Sequence, residues 1–123
     1  MQFQLILGQF RLLWGIIMAL EFYNRIKAHA ETTPDKPAII DGDFTLSYLQ
    51  LLESIERFAG ALEKLDLNPD SKLGILCLNQ KEYLIAYLGA LLKGLPAGPM
   101  NFLLSPEDLA FIVQDAGIDL LVV

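Results

Sequence analysis

Leu73-Gly-Ile-Leu-Cys-Leu78 and Ile118-Asp-Leu-Leu-Val-Val123 decide the fold. Each is a near-continuous apolar run of strand length. Between them lie a helical stretch, Asn79–Lys93, a short Pro-bounded segment, Ala97–Asn101, and a second helical stretch, Pro106–Ala116. Apolar strands alternating with helices predict a mostly parallel sheet covered on both faces. From Tyr83 to Leu92 the first helix has almost no polar face, which predicts burial. In a chain of 123 residues, burying such a helix implies more protein around it. A parallel sheet normally continues through a further crossover helix. Nothing follows Val123, so the expectation is the opening part of a larger α/β protein.

The boundaries of these elements carry their own chemistry. Ser105-Pro106-Glu107-Asp108 offers a hydroxyl cap, a proline at the first helical position and two acids in the first turn. Gly117 is placed to end that helix in the left-handed conformation. Asn79 is the expected cap of the earlier helix, with Glu82 three residues on.

Upstream, Ser47-Tyr-Leu-Gln50 has the spacing of a capping box. Leu51, Ile55, Phe58, Leu62 and Leu65 then recur every three or four residues and predict one apolar helix face. Glu53, Glu56, Arg57, Glu63 and Lys64 form its solvated side. Asn68-Pro69-Asp70-Ser71 is a turn. Before that helix, Ala38-Ile-Ile40 and Phe44-Thr-Leu46 flank Asp41-Gly42-Asp43, the signal of an early β-hairpin. Turn chemistry accounts for both aspartates, and two carboxylates are too few for a metal site. Thr32-Thr-Pro-Asp-Lys-Pro37 breaks a preceding helix, in which Leu20, Tyr23 and Ile26 are expected to face inward.

Met1–Leu20 stands apart. Leu5 to Leu20 is apolar except for Gln9 and Arg11. Sixteen residues fall short of the roughly 20 that span a bilayer, and Arg11 interrupts the run. No basic residue precedes it and no small-residue cleavage site follows, unlike a secretory signal. Phe3, Ile6, Leu7, Phe10, Leu13, Trp14 and Ile17 share one helical face, opposite Gln4, Gly8, Arg11 and Gly15. We read 1–17 as lying upstream of a true start at Met18, and 18–123 as the domain. The second reading is a helix lying in a membrane surface.

Composition excludes several classes. Apolar residues make up 54% of the chain and no low-complexity run appears, so it is not disordered. Nine basic residues stand against fifteen acidic ones, scattered singly, which argues against nucleic acid. Among the basic residues, Arg57, Lys64 and Lys81 fall on helix faces that read as solvated, and Lys93 lies at a helix end. The single cysteine, Cys77, permits no internal disulfide and fits a reducing cytoplasm. Inside an apolar strand it reads as a small buried hydrophobe. His29, the only histidine, sits on a polar helix end and reads as solvated. Tyr83 and Tyr87 read as core residues with hydroxyls at the boundary. Neither G-x-x-x-x-G-K-[ST] nor G-x-G-x-x-G occurs anywhere.

The ordered pieces resemble the N-terminal part of the adenylate-forming (AMP-binding) superfamily: acyl- and aryl-CoA ligases, luciferases and peptide-synthetase adenylation domains. Thr33-Pro-Asp-Lys-Pro-Ala38 is similar to that family's entry into its first strand. Phe44-Thr-Leu-Ser-Tyr-Leu-Gln-Leu51 resembles its "L-[TS]-Y-x-[EQ]-L" motif, and Leu88-Gly-Ala-Leu-Leu-Lys-Gly94 its "A-x-L-K-A-G" helix. Pro99-Met-Asn101, Ser105-Pro-Glu-Asp-Leu109 and Ile112-Val-Gln-Asp-Ala-Gly117 resemble "P-L-N-P … P-E-E-L … I-L-x-D-S-G". Order and spacing from Phe22 to Val123 carry the likeness. Asn101 resembles the acyl-CoA ligase form more than the Asp usual in peptide-synthetase domains. Asp66 departs from the pattern, standing where members often have Gly at a helix end. Leu95-Pro96-Ala97-Gly98 departs too, and predicts a weak strand.

The resemblance implies a protein that activates a carboxylic acid as acyl-AMP with ATP and Mg²⁺ and transfers it to the thiol of CoA. It also implies that the nucleotide loop ending in Pro-Lys-Gly, the acidic ribose contact and the C-terminal lysine lie beyond Val123. Every matched piece is a cap, a core helix or a strand edge. No catalytic, cofactor-binding or metal-binding residue is therefore assigned. The chain alone is expected to bind no cofactor and to be inactive, with the missing remainder of the synthetase as its partner. The alternative is a non-catalytic α/β module that binds a partner chain or an apolar ligand.

Overall fold

The structure, a computed structural model, describes residues 17, 18 and 20–123. The expected N-terminal face from Phe3 to Trp14 lies outside the described residues. Ile17, Met18 and Leu20 are helical and exposed, so the inward position expected for Leu20 is wrong. Helix α1 (20–32) buries Ile26, as expected, and Ala30, with Tyr23 half-buried against the same cluster.

Strands β1 (Pro37–Asp41) and β2 (Phe44–Ser47) pair antiparallel as the early hairpin. Asp41 pairs with Phe44, so the loop is Gly42-Asp43. Gly42 has φ +58° and Asp43 does not share the positive sign. Glycine at the first loop position is the arrangement of a type II′ turn, rather than one centred on Asp41-Gly42. The alternation puts Leu46 in the core and leaves Ile40 71% exposed.

Helix α2 (Tyr48–Glu63) begins at the expected capping box. The Gln50 N–H donates to Ser47 Oγ (3.2 Å), and the Ser47 N–H donates to Gln50 Oε1 (2.9 Å). The next two amides are also satisfied. Tyr48 N–H donates to Lys36 O and Leu49 N–H to Pro34 O, which docks the proline turn onto the helix start. Leu51, Leu52, Ile55, Ala59 and Leu62 are buried. Leu65 is not; the helix ends at Glu63 and Leu65 is 53% exposed.

The departure at Asp66 has a structural expression: its φ is +50°, the one non-glycine in the left-handed region among the described residues. Glycine adopts that conformation without the clash an L side chain meets. Asp66→Gly should therefore stabilise the fold by about 0.5–1 kcal/mol, and Asp66→Val should destabilise it by about 1–2 kcal/mol. Paired denaturant titrations of the two variants check both signs.

Strands β3 (Leu73–Ile75), β4 (Ala97–Pro99) and β5 (Leu120–Val122) form a parallel sheet in the order β4-β3-β5. All three are shorter than their apolar runs. Leu76 N–H still donates to Val122 O, but Leu78 has left the sheet and is 50% exposed. Helix α3 (Lys81–Leu92) joins β3 to β4, and α4 (Pro106–Ala116) joins β4 to β5. The two crossovers run in opposite directions across the sheet, so right-handed connections place α3 and α4 on opposite faces. On one face Leu73 and Ile75 pack with Leu62, Ala86 and Ala90. On the other, a Cβ on Gly74 would lie 2.8 Å from Leu121 Cδ2 and 3.0 Å from Met100 Sδ.

The faces are unequally covered. No residue from Tyr83 to Leu92 is exposed, as expected of an apolar helix. Helix α4 has no buried residue. Its ends are nonetheless well made. Ser105 Oγ accepts from Asp108 N–H (3.1 Å). Gly117 has φ +67°, with Gly117 N–H donating to Gln114 O and Ile118 N–H to Val113 O, the paired bonds of a Schellman motif.

Tyr23 ties α1 to α2, its hydroxyl donating to Glu56 Oε1 at 2.6 Å. That bond, with burial and the Glu56 charge, pushes the Tyr23 hydroxyl up to about 12. A raised folded-state value means that the stabilisation is complete below the usual tyrosine range near pH 10 and is lost as pH rises through about 12. An ultraviolet titration should show a late ionisation that disappears in Tyr23→Phe. An unchanged profile in that variant would place the late tyrosine elsewhere.

Candidate functional site

In an open α/β sheet the ligand crevice lies beyond the carboxyl ends of neighbouring strands whose connections leave to opposite faces. Here those strands are β3 and β4. The loops that follow them, 76–80 and 100–105, frame the crevice. Both lead into helix N-termini, where backbone N–H groups concentrate partial positive charge.

The side chains at this edge are sparse in chemistry. The Cys77 thiol is half-buried, and burial, then the charge of Glu82, push it up, away from the thiolate a nucleophile needs. Asn79 is not the cap of α3. Gln80 occupies that position and makes no side-chain cap bond. Asn101 turns its amide oxygen inward to its own loop and accepts from Leu103 N–H at 3.0 Å. Phe102 and Leu103 are exposed. No group of three metal-ligating side chains occurs among the described residues.

Four of the cations, Arg25, Lys72, Lys81 and Lys93, make structural contacts. Lys81 departs from the solvated position expected of it and is half-buried. Its Nζ lies 3.9 Å from the Phe44 ring centroid and 2.9 Å from Glu82 Oε1, and this hydrogen bond holds the Glu82 carboxyl below its usual range. Lys93 bonds Glu63 at 2.9 Å, which lowers the Glu63 carboxyl in the same way. Lys72 Nζ donates to Ala116 O at 2.7 Å, on the carbonyl end of α4, and Lys72 N–H donates to Asp119 Oδ2. Arg25 pairs with Glu21 at 2.8 Å. Arg57 and Lys64 are exposed, as expected.

A second concavity lies between α1, β1, α2 and α3. It has a volume of about 270 Å³, with Phe22, Ile26, Tyr48, Leu51 and Leu84 among its lining. His29 is exposed but not free-standing: its ring stacks on Tyr48 at 4.7 Å. No sequence pattern signals that pairing, because the two rings come from separate elements. Asp41 and Asp43 are exposed at the hairpin turn, and Tyr83 and Tyr87 are half-buried against the sheet cluster.

The fold and its edge define an α/β domain with a parallel sheet of β4-β3-β5 order, an attached hairpin, and a switch-point edge framed by loops 76–80 and 100–105. The family model described as AMP-binding enzyme matches residues 26–123, and the chain belongs to that family. It is 30% identical over 104 residues to 2-succinylbenzoate–CoA ligase of Bacillus licheniformis, covering 85% of this chain and 22% of that one. It is 37% identical over 91 residues to bacitracin synthase 3 of the same species, covering 71% of this chain and 1% of that one. Among solved structures, a benzoate CoA ligase from Burkholderia xenovorans superposes with a TM-score of 0.74 at 29% identity, covering 81% of this chain and 20% of that one. O-succinylbenzoate coenzyme A synthetase from Bacillus subtilis, solved with AMP, gives 0.70 at 27%, covering 78% and 25%. The chain thus spans about a fifth of the length of the CoA ligases it matches.

Proposed function

We propose that residues 26–123 form the N-terminal framework of an ATP-dependent carboxylic acid–CoA ligase and contribute no catalytic group to it. The whole enzyme would activate its acid as acyl-AMP with ATP and Mg²⁺ and pass the acyl group to the CoA thiol. One observation carries the division of labour. The stretch that matches the family has Lys72, Lys81 and Lys93 held in helix-end, aromatic and carboxylate contacts, and no Gly-rich loop follows its strands. Adenylation puts negative charge on departing pyrophosphate and needs preorganised donors or cations there. Those groups belong to the rest of the enzyme, which is the partner of this stretch. Asn101 favours the CoA-ligase branch over the peptide-synthetase branch. On this reading the protein is cytoplasmic, and Met1–Leu20 is the part that would touch a membrane surface. Among the described residues no helix is long and apolar enough to cross one.

A chimera tests the proposal. Residues 26–123 replace the matching stretch of the Bacillus licheniformis ligase, and acid-dependent ATP–pyrophosphate exchange is measured. A working framework keeps exchange and the parent's choice of acid. A folded chimera that has lost exchange, or has changed its acid, contradicts the assignment of this stretch as framework.

A further inference from the structure

Leu109, Ile112, Val113 and Ala116 make up the partly buried side of helix α4. Its opposite side carries Glu107, Phe111 and Asp115, which are four residues apart and so form one ridge along the helix. Phe111 is 66% exposed at the centre of that ridge. Aromatic side chains, phenylalanine included, are enriched at protein interfaces relative to the rest of the surface.

The charges around it are one-sided. From Gly94 to Val123 the chain has four acids, Glu107, Asp108, Asp115 and Asp119, and no Lys, Arg or His. Asp108 is occupied by the Ser105 hydroxyl and Asp119 by the Lys72 amide. The Lys72 ammonium reaches α4 only at the Ala116 carbonyl. Glu107 and Asp115, which bracket Phe111, have no salt bridge to a described residue.

We infer that the Glu107–Phe111–Asp115 ridge docks a basic, apolar polypeptide surface: a pocket for the Phe111 ring with a Lys or Arg on each side. Charge complementarity selects this occupant. A second copy of the chain would bring a net charge of −6 against the same sign and set carboxylate against carboxylate. The inference does not depend on which acid the enzyme activates.

The test uses the full chain and two synthetic amphipathic helices of equal length, one of leucine and lysine, one of leucine and glutamate. Backbone NMR shifts follow each titration. The lysine peptide should bind with shifts centred on 107–115, weaken steeply with added salt, and lose at least tenfold in affinity in Phe111→Ser. Glu107→Gln with Asp115→Asn should flatten the salt dependence while leaving some affinity. Phe111 is exposed, so these variants should melt with the parent, which separates a lost contact from a lost fold. Equal binding of the glutamate peptide, shifts centred on the cavity beside Tyr48, or unchanged affinity in Phe111→Ser would overturn the inference. So would a dimer of the unmixed chain that Phe111→Ser dissolves, since the occupant would then be a second copy.

Discussion

Gly89→Val should lower the stability of the chain by about 3 kcal/mol or more. Helices α2 and α3 touch at Gly89 through their backbones. A Cβ there would sit 2.6 Å from Phe58 Cδ1, 3.3 Å from Ile55 O and 3.4 Å from Ala59 N. The phenyl ring can rotate away; the carbonyl and amide of α2 cannot. Two further methyl groups would push the helices apart along their main contact. At this chain length the loss corresponds to a fall in melting temperature of about 12 °C. Gly60 is the control. It lies inside α2, and a Cβ there would meet nothing within 4 Å, so Gly60→Ala should stabilise by about 0.5–1 kcal/mol through helix propensity. A Gly89→Val variant that melts with the parent would contradict the close packing of the two helices.

Ile75→Ala should cost about 3–4 kcal/mol. Ile75 is 0% exposed at the end of β3, and β3 is the middle strand of the sheet. Its side chain belongs to a cluster with Leu62 from α2 and Ala86 and Ala90 from α3, so the void cannot close without moving three elements. Ile40→Ala removes the same atoms at a site 71% exposed and should change stability by no more than about 0.5 kcal/mol. Chemical denaturation of the pair measures the difference. Equal effects would mean that the β3 cluster is not the core.

What the sequence disclosed, it disclosed where the cause is local. The Ser47–Gln50 box, the Ser105 cap with Pro106, and the Gly117 termination each depend on residues within one turn, and all three stand in the structure as read. The alternation of apolar runs and helices likewise pointed to the parallel sheet. The misreadings lie where partners are remote. Apolar content alone does not say where a strand stops, and Cys77 and Leu78 leave the sheet once β4 and β5 have ended beside it. Asn79 and Gln80 differ in cap propensity, yet the path of the chain out of β3 puts Gln80 at the helix start. The hold of Lys81 on Phe44 and the stacking of His29 on Tyr48 join separate elements and have no periodic signature. The order β4-β3-β5, and with it the switch-point edge, is likewise set by pairing between distant segments and leaves no local mark. Among the matched motifs, Ser47 and Ser105 are helix caps, Gly89 is a close helix contact and Pro99 a strand end.

On the proposed division, this stretch supplies framework and the rest of a CoA ligase supplies the chemistry. Acid-dependent ATP–pyrophosphate exchange by the purified chain, with Mg²⁺ and a panel of carboxylic acids, tests it most directly. Exchange should not rise above the background seen without acid. Exchange that needs both ATP and an acid, travels with the chain through size-exclusion chromatography and falls in Lys81→Met would contradict it, because the catalytic charge would then sit on a residue whose place in the fold is against the Phe44 ring.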